Sequence, residues 1–155
     1  MKSLHKIFLM FALTLVTQTN VFAHGNVTPQ AMDISTLPVV GTEWKEENPY
    51  RNKNDPEIVR VGSSGFNQNC ARCHGLEAIS GGVAPDLRKL DSDCSGLSAD
   101  KKNACYAEID NYFITTVRHG RVRNGAVYMP PFEGVLQQEA IWAIKTYLES
   151  RRVTE

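Results

Sequence analysis

The chain has 155 residues, room for one compact domain and little for a second. Hydrophobic residues make up 42% and charged residues 22%, which excludes a disordered tract or a fibre. Basic and acidic residues balance at 17 each, and that argues against nucleic-acid binding, whose footprint is a basic surface.

The N-terminus is the first informative segment. Lys2, His5 and Lys6 form a basic head, Ile7 to Val16 is apolar apart from Thr14, and Val21-Phe22-Ala23 closes the stretch. This predicts a signal peptide over residues 1–23, cleaved after Ala23. The alternative, an uncleaved anchor, needs about 20 apolar residues, more than this run supplies. Removing residues 1–23 takes away two lysines and no acids, leaving 15 basic against 17 acidic residues, a charge of −2 with histidines neutral. No second apolar segment follows. The expectation is a soluble periplasmic monomer with no stable membrane insertion.

Residues 24–55 are rich in Pro, Gly, Asn and Thr, and Pro29, Pro38, Gly41 and Pro49 punctuate them. They read as an irregular extension lying along the main domain, residues 56–155, with Leu37, Val39, Val40 and Trp44 to pin it. Asp55 and Pro56 cap a first helix whose Ile58, Val59, Gly62 and Phe66 recur at helical spacing, and which runs into Cys70. Residues 75–97 read as loop. A second helix starts near Ala99, with Ser98 as its cap, and runs to His119, where Gly120 stops it. Residues 121–135 read as loop again. A last helix covers about 137–151, with Ile141, Ile144, Tyr147 and Leu148 as an amphipathic stripe. No alternating β-type run of useful length is visible, so the fold class is all-α.

The chemistry is concentrated in Cys70-Ala71-Arg72-Cys73-His74. Two cysteines separated by two residues present both thiols to one porphyrin, and the adjacent histidine presents its imidazole to the iron. Cys-x-x-Cys-His is the attachment signal for haem c, and attachment outside the cytoplasm agrees with the expected signal peptide. A zinc half-site needs a second ligand pair at suitable spacing. A thioredoxin-like motif needs a βαβ setting and leaves His74 unexplained.

A sixth iron ligand comes from sulfur or imidazole. Met129 lies in Tyr128-Met129-Pro130-Pro131-Phe132, where Pro130 favours an extended backbone at Met129. It is the leading candidate, with core packing as its bland alternative. Met32, His24 and His119 stay open. Cys94 and Cys105 are not followed by histidine and form the leftover pair of an exported chain, which predicts a structural disulfide worth roughly 3 kcal/mol. A redox-active pair is the alternative. Arg118, Arg121 and Arg123 are candidates for pairing with haem propionates or for a docking patch, against a plain solvated helix end.

The haem motif, Gly81-Gly82-Val83-Ala84-Pro85-Asp86-Leu87, Met129-Pro130-Pro131-Phe132 and a final helix with Trp142 and Tyr147 resemble a class I cytochrome c over about residues 56–150. In that family the first and last helices cross through a glycine and an aromatic, matched here by Gly62, Phe66, Ile144 and Tyr147. The resemblance assigns the Pro85 carbonyl to orienting the His74 ring. A narrower resemblance is to the PedF-type cytochromes c. It rests on His24-Gly25-Asn26-Val27-Thr28-Pro29, on Asn67 to Glu77, on Val117-Arg118-His119-Gly120-Arg121 and on Asn124 to Leu136, with an insert between Cys94 and Cys105. It implies a periplasmic electron carrier, not an enzyme. The donor would be a PQQ-dependent (pyrroloquinoline-quinone) alcohol dehydrogenase, and the acceptor a terminal oxidase or another cytochrome. The competing class is a haem enzyme, peroxidase-like, with an exchangeable sixth ligand.

Overall fold

Asp55 begins the first helix: its carboxylate accepts from the Glu57 N–H at 2.9 Å, and Pro56 fills the first turn, whose N–H groups have no helical partner. The computed structural model describes residues 28–153, so the expected signal peptide and His24 lie outside the described residues. Helix α1 spans Pro56–Asn69, and a separate single turn, α2, spans Ala71–His74. Three short 3₁₀ turns, Leu76–Ala78, Leu87–Lys89 and Ser92–Cys94, punctuate the stretch read as loop. Helix α3 covers Ala99–His119, and Gly120 ends it at φ +68°. Helix α4 covers Gln138–Ser150. Among the described residues no helix is long and apolar enough to cross a membrane.

Helices α1 and α4 cross at a glycine. A Cβ on Gly62 would run into the Ala143 carbonyl, so only glycine lets the two backbones approach this closely. One turn on, Phe66 and Tyr147 pack with ring centroids 5.5 Å apart, tilted by 48°. Phe113 of α3 meets Trp142 of α4 at 6.4 Å. This is the class I cytochrome c arrangement, helical around one core.

The segment read as loop after His119 contains a hairpin. Strands β1 (Arg121–Arg123) and β2 (Ala126–Met129) pair antiparallel, Arg121 opposite Met129 and Arg123 opposite Ala126. Asn124 and Gly125 turn the chain at φ +51° and +76°, the conformation that Asn-Gly favours in tight hairpins. Strands of three and four residues are too short to show alternation. The register slips between Arg121 and Val122, a bulge that re-aims the strand end where Met129 sits.

The extension is ordered through contacts that its composition hides. Leu37 is buried and Val40 and Trp44 pack partly against the core, but Val39 is 88% exposed and pins nothing. Tyr50 and Asn48 take its place. The Tyr50 hydroxyl donates to the Pro38 carbonyl at 2.5 Å, and the Asn48 N–H donates to Asp110 Oδ2 at 2.8 Å. As a result α4 is buried almost all round, not along one stripe. Its second, polar face, with Gln138, Glu139 and Lys145, meets the extension and an ionic cluster. In that cluster Lys145 Nζ lies 2.7 Å from Glu149 and 3.3 Å from Asp110. Arg51 bridges the same two carboxylates, at 2.9 Å and 2.5 Å. Arg152 pairs with Asp91 at 2.5 Å.

Cys94 and Cys105 form a disulfide with Cα atoms 5.7 Å apart. From Ala99 onward the span between them is helix, where the sequence places the start of α3, so the bridge staples the start of α3 to the preceding turn.

Candidate functional site

Helix α1 ends by delivering Cys70, whose N–H donates to the Phe66 carbonyl at 2.8 Å. The chain then makes the single turn α2, closed by the His74 N–H to the Cys70 carbonyl at 3.0 Å. That turn places Cys73 and His74 one helical step beyond Cys70. Both thiols are free and half-buried. Burial, aided by the neighbouring Cys73, pushes the Cys70 thiol up to about 12, so before a bond forms at the sulfur it is a neutral thiol.

His74 Nδ1 lies 2.9 Å from the Pro85 carbonyl. A carbonyl only accepts, so Nδ1 carries the proton and Nε2 keeps its lone pair for a metal. Burial lowers the His74 pKa and the Pro85 contact partly opposes it, leaving it below the usual histidine value. The imidazole is therefore held neutral, the form a metal binds. The Pro85 loop is itself braced, with Ser80 Oγ donating to the Ala84 carbonyl and accepting from the Gly82 N–H.

Cys70, Cys73, His74, Pro85, Met129 and Arg121 all line one cavity of about 520 Å³, within the size range of cofactor pockets, roughly 300–1,000 Å³. Its remaining wall is mostly apolar, built from side chains such as Leu87, Phe113, Phe132, Ile144 and Leu148. Two thiols, one oriented imidazole and an apolar slot fit a covalently held haem. Of the sulfur and imidazole candidates for a sixth ligand, Met129 alone among the described residues lines this cavity. Met32 packs against Gly65, and His119 sits 3.4 Å from Glu133. No cluster of three or more His, Cys, Asp or Glu side chains suited to a metal ion occurs among the described residues, so the extra ligands that zinc requires are not beside this motif.

The three arginines part company. Arg121 lines the cavity, donates to Thr116 Oγ1 at 2.9 Å and stacks over Tyr112 at 5.1 Å. Arg118 does not line it: its guanidinium lies 4.2 Å from the Trp44 ring centroid and pairs with Glu133 at 2.7 Å. Arg123 is exposed on β1. Polar lining residues that the sequence reading did not single out are Asn69, Tyr112, Thr116 and Tyr128. Tyr112, Phe113, Thr116 and Val117 share one face of α3, a helical spacing that would have revealed the first of them.

Comparison with known proteins agrees with this geometry. Residues 57–148 match the family described as cytochrome c oxidase, cbb3-type, subunit III. The chain is 49% identical over 136 residues to cytochrome c550 of Pseudomonas aeruginosa, covering 86% of this chain and 84% of that one. It is also 33% identical, over 98 and 96 residues, to the quinohemoprotein alcohol dehydrogenases ADH-IIG and ADH IIB of Pseudomonas putida, covering 63% and 62% of this chain and 11% of each dehydrogenase. No solved structure matches. The chain belongs to the cbb3-type subunit III cytochrome c family. It is a c-type cytochrome with covalently bound haem c, an electron carrier and not an enzyme.

Proposed function

We propose that this cytochrome carries single electrons in the periplasm, from a PQQ-dependent alcohol dehydrogenase to a terminal oxidase or another cytochrome. The observation that carries the reading is one apolar cavity holding two free thiols, an oriented histidine and a methionine. Cys70 and Cys73 would hold the haem through thioethers, with His74 and Met129 as its axial ligands. The bound haem supplies a one-electron redox centre. The chain's own part is to exclude water with Phe113, Phe132, Ile144 and Leu148, and to keep the imidazole aimed through Pro85. Arg121, which lines the cavity, would pair with a propionate.

The donor is proposed from the likeness to two quinohemoprotein alcohol dehydrogenases, in which the matched part is a small fraction of a much longer chain. Val127 and Tyr128, exposed on the hairpin, line the cavity, and with the exposed Val122 and Arg123 of the paired strand they would offer a basic and apolar docking face. Stopped-flow reduction of the ferric protein by a PQQ-dependent alcohol dehydrogenase with ethanol tests this at low and high salt. Fast reduction that slows with salt is expected, because exposed charge attraction is screened. Slow, salt-independent reduction would remove the dehydrogenase as donor and leave the electron carrier.

A further inference from the structure

Arg118 links the extension to the Met129 segment. Its residues 40–45 are pinned to the start of α4. Glu139 Oε1 accepts from the Val40 N–H at 2.9 Å, and Gln138 Oε1 accepts from the Lys45 N–H at 3.2 Å. Gln138 Nε2 also donates to the Gly41 carbonyl and, at 3.1 Å, to the Glu43 carbonyl. Backbone groups on both sides of Trp44 are thereby held, so its half-buried ring is a fixed platform.

Arg118, in the last turn of α3, stacks on that ring at 4.2 Å while its Nη2 donates to Glu133 Oε1 at 2.7 Å. A planar guanidinium can stack and donate at once, which a lysine cannot. Glu133 lies in the segment that leaves β2. Its N–H donates to the Arg118 carbonyl at 3.3 Å, and the Phe132 N–H donates to the Val117 carbonyl at 3.0 Å. The Met129–Pro131 backbone rests directly on Gly120. The segment carrying Met129 is thus clamped to the end of α3 by its backbone, and to the extension by the Trp44–Arg118–Glu133 relay.

We propose that Trp44 and Arg118 are positioning residues for the sixth ligand: the extension acts as a strap that sets how readily Met129 leaves the iron. The inference rests on reading Met129 as that ligand. Residues 40–45 lie outside the span 57–148 matched by the family, so the strap is an addition to the shared domain. It also takes Arg118 out of docking and propionate binding.

The test is imidazole binding to the ferric holoprotein, whose limiting rate at high imidazole reports loss of the intrinsic ligand. Trp44→Ala and Arg118→Ala should raise that rate by about fivefold to thirtyfold, the range between an exposed and a desolvated cation–π contact. Their double variant should be no faster than the faster single one, since both break one relay. Trp44→Phe, which keeps a ring, should stay within about twofold of the wild type. Arg118→Lys, a milder change that keeps the fold's charge, should fall between. Asn48→Ala removes the side-chain bonds to Thr146 and Glu149 instead, keeps the backbone bond to Asp110, and serves as the stability control. Rates in the Trp44 and Arg118 variants equal to that of Asn48→Ala would overturn the strap while leaving the far-red band of Met-ligated ferric haem in place. A wild type without that band, and with the same spectrum as Met129→Ala, would overturn the ligand assignment and the strap with it.

Discussion

Gly120 lies directly beneath the carbonyl of Met129, so close that a Cβ at residue 120 would collide with it and with the Pro130–Pro131 backbone. At φ +68° the position also disfavours any other residue. One glycine therefore ends α3 and lets the methionine strand pack flush against the helix end. Gly120→Ala should cost more than about 1 kcal/mol, since the native conformation is incompatible with a side chain. It should also weaken the far-red band of the ferric protein, because relief of the collision moves Met129. Urea unfolding and the ferric spectrum check both. An unchanged midpoint with an intact band would contradict the role given to Gly120.

Lys145 is 1% exposed and faces Asp110, Glu149 and Asp91. The cluster contains three carboxylates and three cations, Arg51, Lys145 and Arg152, so each deletion leaves a buried charge short of a partner. Lys145→Met should destabilise the fold by about 3–5 kcal/mol, the usual cost of breaking a buried pair from one side. Replacing Lys145 and Asp110 together should cost less than the sum of the single changes. Equilibrium unfolding of the two single variants and the double closes that cycle. Strict additivity would mean that the two side chains do not interact.

Local signals in the sequence carried most of the site and little of what surrounds it. Asp55-Pro56, Cys70 to His74, Gly120 and Met129-Pro130 act through neighbours a few residues away, so their roles are readable from order alone. The hairpin was signalled by Asn124-Gly125 but hidden by strands of three and four residues. Gln138, Glu139 and Lys145 read as the solvent face of α4 because buried charged residues are rare unless paired. Their partners, Val40, Lys45 and Asp110, lie 35 to 99 residues away, and no local pattern announces such pairing. The same holds for Arg118, which looks like a solvated helix end until Trp44 is placed over it.

The Cys94–Cys105 bridge closes a separation of 11 residues. By the chain-entropy account, Cys94→Ala with Cys105→Ala should cost about 3 kcal/mol. Cys94 is fully buried, so the truncation adds a small packing loss. The bridge lies apart from the haem cavity, and the spectrum of the variant should match the wild type while its melting temperature falls. A shifted spectrum at unchanged stability would reverse this assignment and mark the pair as redox-linked to the haem.

Asp91 gives the acid limb of stability. Burial pushes its carboxyl up, but the Arg152 hydrogen bonds and the Arg152 and Lys145 charges outweigh it, leaving its pKa below the ordinary 3.8. The folded state therefore binds this proton more weakly than the unfolded chain does. The stabilisation is fully present above about 3.8 and is lost as pH falls through the folded value, because there the unfolded state gains protons first. Asp91→Asn should lower stability at pH 7 and flatten the decline below pH 4, so that the two proteins converge in acid. Urea midpoints across pH 3–7 measure this. Curves that stay parallel would show that Asp91 does not carry the acid limb.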